Sequence, residues 1–548
     1  MKILRLAFIF LIEFCHANAQ IPSWEWAHST GGSGTAIISN GLAVDSHGNY
    51  YLSGAFRGVM TFGVDSLSNS NTSYDDYFIS KYDAAGNVLW VKEFLPQAGI
   101  ADYPSIIVGP DDDLCITGNF YTSYIIFDSD TIFGMSNTSN TFIIKIDTSG
   151  NLLWSRSSGG TRPWAICSDV ENNVYVTGEF GHDFTVFGTD TIINADSTQG
   201  SSTFLVKYDA NGNVKWAESF SGTSFNSMCT DKQENIYLTG TIQFYAIWGN
   251  DTVFGNGAIN VFTGKLNKSG SPVWAKSAGG TQTDEGLGIV IDSISNVYLA
   301  GVFTSPAFIY GNDTIFQNRS SWGTDILIMK YDSAGNVQWA KTPGGRYEDK
   351  ANAIASDPNG NVYLVGQFDT DTLIFGEDTI TNPYGYWDIF IAKYDPQGNT
   401  MWVKTTGGIG DIVTTAATFS NGSLYVAGRN TCPEVVFDFD SISNIGQNIF
   451  AAKLGTYPTG IASVSPASPI SVYPNPSTGS FYFSGMTEGS TIEVYDMMGQ
   501  KINTTSPQPS PKGEEATAIV LSGRAAGVYF YRVSDQNNTI QTGKLVVE

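Results

Sequence analysis

A hairpin motif recurs along this chain at nearly constant spacing, and no other feature constrains the fold as strongly. Residues 81–90 read KYDAAGNVLW, and close copies follow as KIDTSGNLLW, KYDANGNVKW, KYDSAGNVQW and KYDPQGNTMW. The tryptophan of the motif occupies seven positions spaced 58 to 65 residues apart: Trp26, Trp90, Trp154, Trp216, Trp274, Trp339 and Trp402. A period of this length indicates one structural unit that is stacked repeatedly, rather than several unrelated domains.

Each unit contains a second hairpin, so one repeat holds four short strands. The stretch AIASDPNGNVYLVGQF, residues 353–368, is an example in which β-branched and aromatic strands flank a turn of Asp, Gly and Asn. Related stretches are AVDSHGNYYLSGAF and DSISNVYLAGVF. A four-stranded antiparallel sheet repeated at this period is typical of a β-propeller blade.

The two ends of the repeat array are incomplete in complementary ways. The segment SWEWAHSTGG, which begins at residue 23, matches only the last strand of a unit, and IFAAKLG, residues 449–455, matches only the third strand. Pairing the N-terminal strand beside Phe450–Leu454 would complete one sheet and leave no free edge strand. We therefore predict an all-β fold over residues 20–455, a seven-bladed β-propeller closed by its N-terminal strand.

The motifs K-Y-D-x-x-G-N-x-x-W and D-x-x-G-N-x-Y-x-x-G resemble the bacterial seven-bladed propeller (SBBP) repeat family. The resemblance covers roughly residues 20 to 455. It implies the propeller fold, and it does not imply an activity.

The N-terminus has the features of a secretory signal peptide, which we assign to residues 1–19. Lys2 and Arg5 precede an apolar run from Leu6 to Phe14 that is interrupted only by Glu13, and Ala17-Asn18-Ala19 provides an A-x-A cleavage site. No other stretch approaches the roughly 18 apolar residues of a membrane helix. We expect a soluble, exported mature protein without a transmembrane segment.

The net charge of -24 argues against nucleic acid as a partner, because binding to phosphates requires a basic surface. Acidic side chains could hold Ca²⁺, but no specific calcium motif is present and we expect no cofactor and no metal. Four cysteines remain after the predicted signal peptide, too few for a disulfide scaffold in a chain of 548 residues.

The composition of the sequence changes after Gly455. Residues 456–470, TYPTGIASVSPASPI, are uncharged and rich in Pro and Ser, and we interpret them as a linker. Residues 471–548 contain short strands separated by Gly-rich turns, which predicts a small Ig-like β-sandwich.

This second region resembles the type A C-terminal sorting domain of the type IX secretion system. The matching residues are Tyr473, Pro474, Asn475, Pro476, Gly479, Lys544, Leu545, Val546 and Val547. One departure is the low-complexity insert SPQPSPKGEE at 506–515. The resemblance implies that the type IX machinery is a partner and that the chain is secreted or attached to the outer-membrane surface after passing through the periplasm. Whether the domain is then cleaved stays open.

The sequence offers little support for catalysis. Outside the predicted signal peptide the histidines are His28, His47 and His182, and they occupy unrelated repeat positions. No H-E-x-x-H, G-x-S-x-G or phosphate-loop motif is present. We assign no catalytic residue, although a carboxylate-dependent polysaccharide hydrolase or lyase remains an alternative because Asp and Glu are abundant.

An Asp-(Ser/Thr)-apolar tripeptide recurs once in every unit. A turn aspartate of purely structural role would explain it, but the pattern also resembles an O-glycosylation motif of bacteria that carry type IX secretion. The acceptors would be Ser66, Thr131, Thr191, Thr252, Thr314, Thr379 and Ser441.

The connections between units differ from one repeat to the next and therefore carry more functional information. In propellers such connections usually lie where the central channel opens and where ligands dock. The predicted channel mouth comprises Asp102, Tyr103, Arg162, Trp164, Phe225, Asp284, Glu285, Arg346, Tyr347, Asp349 and Asp411.

These side chains suit a glycan or a surface protein as ligand, and they equally suit an ordinary loop surface. We predict an exported propeller that acts as a binding or adhesion module. The polysaccharide-active enzyme and a purely structural surface scaffold are the alternatives.

Overall fold

A computed structural model of the chain describes most of the two predicted domains. The described residues are 21–32, 35–69, 75–96, 104–136, 138–194, 201–317, 323–438, 440–443, 448–455, 471–473, 475–484, 490–496, 501–505, 516–521, 523–535 and 538–547. The predicted signal peptide, linker and low-complexity insert lie outside them, as do the predicted site residues Asp102, Tyr103 and Pro474.

The chain forms two compact units, Met1–Tyr457 and Pro458–Glu548. Every helix or strand that the structure assigns in the described residues is a β-strand. The all-β fold class is therefore confirmed.

The strands of the first unit follow one another in a regular order along the chain. The first strands are β1 Trp24–Ser29, β2 Thr35–Val44, β3 Tyr50–Phe62, β4 Asp65–Asn69, β5 Asp76–Tyr82 and β6 Val88–Pro96. Next are β7 Ser105–Val108, β8 Leu114–Phe120, β9 Tyr124–Phe127, β10 Asp130–Phe133, β11 Asn140–Ile146 and β12 Leu152–Gly159. They are followed by β13 Thr161–Ser168, β14 Val174–Phe180, β15 Phe184–Phe187, β16 Asp190–Ile193, β17 Ser202–Tyr208 and β18 Val214–Phe220.

The later repeats continue the same order. The next strands are β19 Thr223–Thr230, β20 Ile236–Ile242, β21 Tyr245–Trp248, β22 Asp251–Phe254, β23 Asn260–Leu266 and β24 Pro272–Gly279. Then come β25 Asp284–Ile291, β26 Val297–Phe303, β27 Ala307–Tyr310, β28 Asp313–Phe316, β29 Asp325–Tyr331 and β30 Val337–Lys341. The remainder are β31 Asp349–Ser356, β32 Val362–Phe368, β33 Thr372–Phe375, β34 Asp378–Thr381, β35 Asp388–Tyr394, β36 Thr400–Thr406, β37 Ile412–Ser420, β38 Ser423–Asn430, β39 Glu434–Phe437, β40 Asp440–Ser443 and β41 Asn448–Leu454.

These strands pair as repeated antiparallel sheets, which we number I to VII. In chain order the sheets contain β2-β3-β5-β6, β7-β8-β11-β12, β13-β14-β17-β18, β19-β20-β23-β24, β25-β26-β29-β30, β31-β32-β35-β36 and β37-β38-β41-β1. A short outer hairpin, such as β15-β16 or β33-β34, connects the second and third strands along the chain in sheets II to VII, and in sheet I the end of β3 forms this hairpin with β4.

Strand β1 completes sheet VII by pairing with β41, with Trp26 opposite Lys453 and Ser29 opposite Phe450. The first strand of each sheet contacts the first strand of the next, and β37 of sheet VII contacts β2 of sheet I. The first unit therefore has a propeller-like arrangement in which the first strands surround a central channel.

The side-by-side packing of the sheets determines which strands are buried. The second and third strands of each sheet are covered by the sheets on both sides, and every residue of Leu114–Phe120 and of Asn140–Ile146 is buried. Such strands can be apolar on both faces, which explains their continuous β-branched and aromatic sequence. Between sheets III and IV, for example, Leu205, Phe225 and Phe262 share one apolar cluster.

The recurring lysine, glycine and tryptophan of the hairpin motif connect neighbouring sheets. Nζ of Lys81 and Nε1 of Trp90 both donate to the carbonyl oxygen of Thr148 in the next sheet, at 3.0 and 3.3 Å. The motif glycine Gly212 packs on Trp154 so closely that an added Cβ would lie 2.7 Å from the indole ring. The repetition of this motif therefore has a structural cause.

The second unit contains two sheets that pack face to face. Its strands are β42 Ser471–Tyr473, β43 Ser480–Ser484, β44 Ser490–Tyr495, β45 Lys501–Thr505, β46 Ala516–Val520, β47 Gly527–Asp535 and β48 Asn538–Val547. One sheet has the order β42-β43-β46 and the other β45-β44-β47-β48. The rings of Phe483 and Tyr531, one from each sheet, meet edge to face with centroids 4.8 Å apart.

Candidate functional site

A β-bulge interrupts the first strand of sheets III to VII and turns one additional side chain toward the central channel. At each bulge the pairing with the second strand skips one residue, as between Phe225 and Ser227. The residues skipped are Trp164, Asn226, Leu287, Asn352 and Thr415. Bulges of this kind commonly re-aim a side chain next to a functional site.

A glycine in the second strand makes each bulge possible. These glycines are Gly178, Gly240, Gly301, Gly366 and Gly428, the last residue of the Y-x-x-G motif. A Cβ built on any of them would lie 1.9 to 2.1 Å from a carbonyl oxygen of the facing first strand. Because no side chain fits in that space, the glycine allows the first strand to approach closely where it bulges.

The bulge residues line a cavity of about 640 Å³ in the channel. All five contribute to its wall, together with their neighbours on β7, β13, β19, β25, β31 and β37 and with Gln367 of β32. This volume is within the range of about 300–1,000 Å³ that is usual for small-molecule sites. The bulge residues of the wall are Trp, Asn, Leu, Asn and Thr, so the repeat does not impose one residue type at this position.

Hydrogen bonds to neighbouring strands hold the amide side chains of this wall in place. Nδ2 of Asn352 donates to Oε1 of Gln367 at 2.9 Å and to the carbonyl oxygen of Thr414 at 2.8 Å. Nδ2 of Asn226 donates to the carbonyl oxygen of Gly286 at 3.0 Å. The amides are therefore fixed in orientation before any ligand binds.

Trp164 is the aromatic side chain among the described residues of the wall, and it is 40% exposed. The guanidinium group of Arg162 lies 4.9 Å from the centre of the indole ring. Arg162 also forms an ion pair of 3.5 Å with Glu179 on the adjacent strand. This pair restrains the guanidinium group beside the ring, while part of the indole surface remains open.

Glu285 is the one charged side chain among the described residues that line the cavity. It stands on β25 beside the bulge residue Leu287, and no basic side chain accompanies it in the described part of the wall. The cavity is therefore polar through amides and hydroxyl groups, and it carries little charge.

The structure places Trp164 and Glu285 of the predicted channel mouth in the cavity wall and Arg162 directly beside it. Arg346 and Tyr347 are exposed on the loop before β31, where the guanidinium carbon lies 5.7 Å from the tyrosine ring centre. Asp411 accepts a hydrogen bond from the backbone nitrogen of Trp387 at 3.2 Å. Arg346, Tyr347 and Asp411 do not line the cavity, and any role in binding stays a prediction.

The prediction that Phe225 lines the channel mouth is wrong, because the side chain of Phe225 has no exposed surface. Its ring packs edge to face against those of Phe220 and Trp248, with centroids 5.3 and 6.2 Å apart. The bulge shifts the alternation of the strand by one residue, so Asn226 faces the cavity and Phe225 faces the core between sheets.

Asp284 and Asp349 are also fully buried and do not line an open mouth. Asp284 accepts hydrogen bonds from the backbone nitrogen of Gly280 and from Oγ of Ser305, both at 2.7 Å, and burial raises the pKa of its carboxyl group. Asp349 accepts a bond of 2.7 Å from the backbone nitrogen of Gly345. Both carboxylates bind the backbone that leads into a first strand, which is a structural role.

The amide residues of the wall, Asn226, Asn352 and Gln367, are not among the residues predicted from the sequence. These three residues were not predicted because they do not belong to the sequence motifs that recur in every repeat. The recurring glycine of the second strand could have indicated the bulges from the sequence, since an isolated glycine within a strand indicates a bulge or a close approach of another strand.

The predicted O-glycosylation acceptors all lie on exposed positions of the outer hairpins or, for Ser66, of the β3-β4 hairpin. All seven are exposed: Ser66, Thr131, Thr191, Thr252, Thr314, Thr379 and Ser441. Accessibility is necessary for modification, but it also suits an unmodified surface, so glycosylation stays a prediction.

The two halves of the predicted sorting motif meet in the second unit. Nδ2 of Asn475 donates to the carbonyl oxygen of Lys544 at 2.7 Å, and the backbone nitrogen of Val546 donates to Oδ1 of Asn475 at 2.8 Å. Leu545 and Val547 are buried in the core of the same unit. The motif therefore joins the beginning and the end of this domain.

Within the residues that the structure describes, no three His, Cys, Asp or Glu side chains are grouped closely enough to hold a metal ion. A helix with the length and apolar character needed to cross a membrane is likewise not found among them.

Residues 471–548 match the family described as Secretion system C-terminal sorting domain. The chain is also similar to an uncharacterized WD repeat-containing protein of Acanthamoeba polyphaga mimivirus, with 25% identity over 505 residues, 73% of this chain and 36% of that protein. Over 195 residues it is 28% identical to the regulatory protein FlaEY of Caulobacter vibrioides, covering 35% of this chain and 20% of that protein. The chain thus spans about a third and a fifth of the length of these two relatives.

Among solved structures, the chain is similar to the Dos1 propeller at 9% identity and a TM-score of 0.39, covering 80% of this chain and 96% of that one. The C-terminal match is specific to residues 471–548 and coincides with the motif whose halves Asn475 connects. Residues 471–548 are a type IX C-terminal sorting domain, and this domain indicates export of the chain to the cell surface or the medium.

Proposed function

We propose that the first unit is a closed seven-bladed β-propeller that acts as a binding or adhesion module, with its ligand in the channel cavity. The pairing of β1 with β41 and the contact of β37 with β2 support the closed ring. We further propose that residues 1–19 are a cleaved signal peptide, that 456–470 are a linker and that 471–548 form an Ig-like sandwich.

The observation that carries the binding proposal is the non-repeating wall of the cavity. Sheets that share the recurring hairpin motifs present Trp, Asn, Leu, Asn and Thr at their five bulges. A purely structural scaffold has no need for such variation, because the packing between sheets uses the recurring residues instead. A pocket with a few oriented polar groups is the usual form of a ligand site.

A polysaccharide hydrolase or lyase is less well supported. Glycosidases of the usual kind need two carboxyl groups on opposite sides of the scissile bond, roughly 5–9.5 Å apart. Glu285 is the one carboxylate in the described part of the wall, so the second group of such a pair is not found there.

The full exported chain should be tested on glycan and peptide arrays, with the release of reducing ends assayed in parallel. Thr415→Trp would place an indole ring inside the cavity and obstruct it, and Thr189→Trp, at an exposed turn of an outer hairpin, is the matched control. We expect binding that Thr415→Trp abolishes and Thr189→Trp leaves unchanged. Binding insensitive to Thr415→Trp would contradict the channel site, and release of reducing ends would favour the enzyme.

We also propose that the exposed Asp-(Ser/Thr) acceptors of the outer hairpins carry O-linked glycans. Their regular placement, one on each hairpin and away from the cavity, would leave the binding site open. The intact mass of the secreted chain is the test, and a mass equal to that of the unmodified polypeptide would refute the modification.

A further inference from the structure

The donors and acceptors of the cavity wall identify the class of ligand, an inference that rests on the binding function proposed above. The charge of the wall is the first constraint. Among its described residues there is no Lys or Arg, and the one charged group is the carboxylate of Glu285. Arg162, which lies beside the wall at Trp164, is paired with Glu179. Anionic ligands such as phosphates or acidic saccharides need basic partners, and the net charge of -24 repels them further. The wall therefore favours a neutral ligand.

The hydrogen bonds within the wall decide which polar atoms remain for a ligand. Both amide hydrogens of Asn352 are used by Gln367 and by the backbone of Thr414, so its Oδ1 remains as an acceptor. Oε1 of Gln367 accepts from Asn352, so its Nε2 group remains as a donor. Neither remaining atom has a hydrogen-bond partner among the described residues. An acceptor and a donor thus stand side by side in fixed positions.

A hydroxyl group matches this pair, because it donates one hydrogen bond and accepts others through the same oxygen atom. A pair of neighbouring hydroxyl groups could bind Oδ1 of Asn352 and Nε2 of Gln367 at once. Asn226 uses one amide hydrogen on Gly286, which leaves a second hydrogen and Oδ1 for the same kind of contact. A wall with several such mixed donor and acceptor positions suits a polyol better than a peptide, whose N–H and C=O groups each have one fixed role.

The apolar part of the wall could contact the C–H groups of the same ligand. Trp164 offers a partly open indole surface that is held beside Arg162. A pyranose ring has a face of C–H groups that packs against an aromatic ring while its hydroxyl groups point to the sides, so an aromatic surface with polar neighbours suits it. The cavity of about 640 Å³ has room for a short oligosaccharide.

We propose that the channel cavity binds a neutral saccharide, with Trp164 packing against a sugar ring and with Asn352 and Gln367 binding its hydroxyl groups. The test uses the full exported chain and isothermal titration with three probes. These are a panel of neutral trisaccharides, trigalacturonate as the acidic saccharide and an uncharged tripeptide.

The variants for this titration are Trp164→Ala, Gln367→Leu and, as aromatic control, Phe184→Ala, which removes an exposed ring from an outer hairpin. We expect a neutral trisaccharide to bind, with the affinity lowered about tenfold or more by Trp164→Ala, as for loss of an aromatic contact, and unchanged by Phe184→Ala. Gln367→Leu should weaken binding several-fold, because it removes the Nε2 donor to the ligand and also the Oε1 acceptor that orients Asn352, while retaining a side chain of similar size.

The possible failures separate the two proposals. If trigalacturonate or the tripeptide binds in a manner that Thr415→Trp abolishes, and neutral saccharides do not bind, the saccharide inference is overturned while the channel site stands. If a neutral saccharide binds with equal affinity to the parent chain and to Trp164→Ala, the assignment of the indole is overturned. If no probe in the titration or on the arrays binds in a cavity-dependent manner, the binding function itself fails.

Discussion

Nζ of Lys453 lies 2.7 Å from a carboxylate oxygen of Glu25, across the pairing of β41 with β1. In sheets I, II, III and VI the corresponding lysine pairs with an aspartate of the first hairpin, as Lys207 does with Asp169 at 3.1 Å. The N-terminal strand supplies the acidic partner in sheet VII. This strand therefore adds charge compensation as well as backbone pairing to the last sheet.

Replacement of Glu25 by Gln should destabilise the attachment of β1. The side chain of Lys453 is 17% exposed and that of Glu25 43%, so the pair is only partly screened by solvent. We expect a loss of about 1 kcal/mol in the free energy of unfolding, between the values typical of exposed and buried pairs. Urea unfolding monitored by tryptophan fluorescence would measure it. Glu171→Gln, on an exposed turn, is the control and should change nothing.

The partnership of β1 and β41 could be predicted from the sequence, because two incomplete repeat units must complete each other to satisfy their backbone hydrogen bonds. The residues of the cavity could be predicted only in part. Trp164 is identifiable because it differs between repeats, whereas Phe225, predicted at the mouth on the same ground, is a core residue. A bulge reverses the alternation of side chains along a strand, and the repeat alignment alone does not reveal on which residue that reversal falls.

Gly240→Ala tests whether the glycine of the second strand is required for the bulge. The added Cβ would lie 1.9 Å from the carbonyl oxygen of Ser224, and a backbone atom cannot move aside as the end of a side chain can. We expect destabilisation of about 2–4 kcal/mol, measured by urea unfolding, and loss of ligand binding.

Gly385→Ala is the matched control for this experiment. Nothing lies within 4 Å of a Cβ at that position, and only the left-handed backbone, with φ of 69°, opposes a side chain. Its cost should be about 1 kcal/mol. Gly240 does not have the left-handed backbone of Gly385, so equal costs for the two variants would mean that close approach at the bulge does not require a glycine.

The carboxyl group of Asp388 should make the free energy of unfolding depend on pH. Burial raises the pKa of its carboxyl group from 3.8 to about 6, although the backbone nitrogen of Gly408 donates to it. The folded state therefore holds the proton more tightly than the unfolded state, so this group favours folding at low pH and its contribution is lost as pH rises from about 4 to about 6. The unfolding free energy of the parent chain, minus that of Asp388→Asn, should decrease over this window. A difference that stays constant with pH would contradict the raised pKa.

Asn475→Ala tests whether the joined halves of the sorting motif are needed for export. The change removes the hydrogen bonds to the carbonyl oxygen of Lys544 and from the backbone nitrogen of Val546, which together contribute about 1–3 kcal/mol. Because Leu545 and Val547 next to them are buried, we expect the C-terminal strand to detach from the start of the domain and the chain to accumulate in the periplasm. Immunoblots of periplasm, cell surface and medium would measure its distribution. Thr478→Ala, at an exposed position three residues further along the chain, is the control and should be exported normally. Normal export of Asn475→Ala would mean that the machinery reads the terminal strand alone.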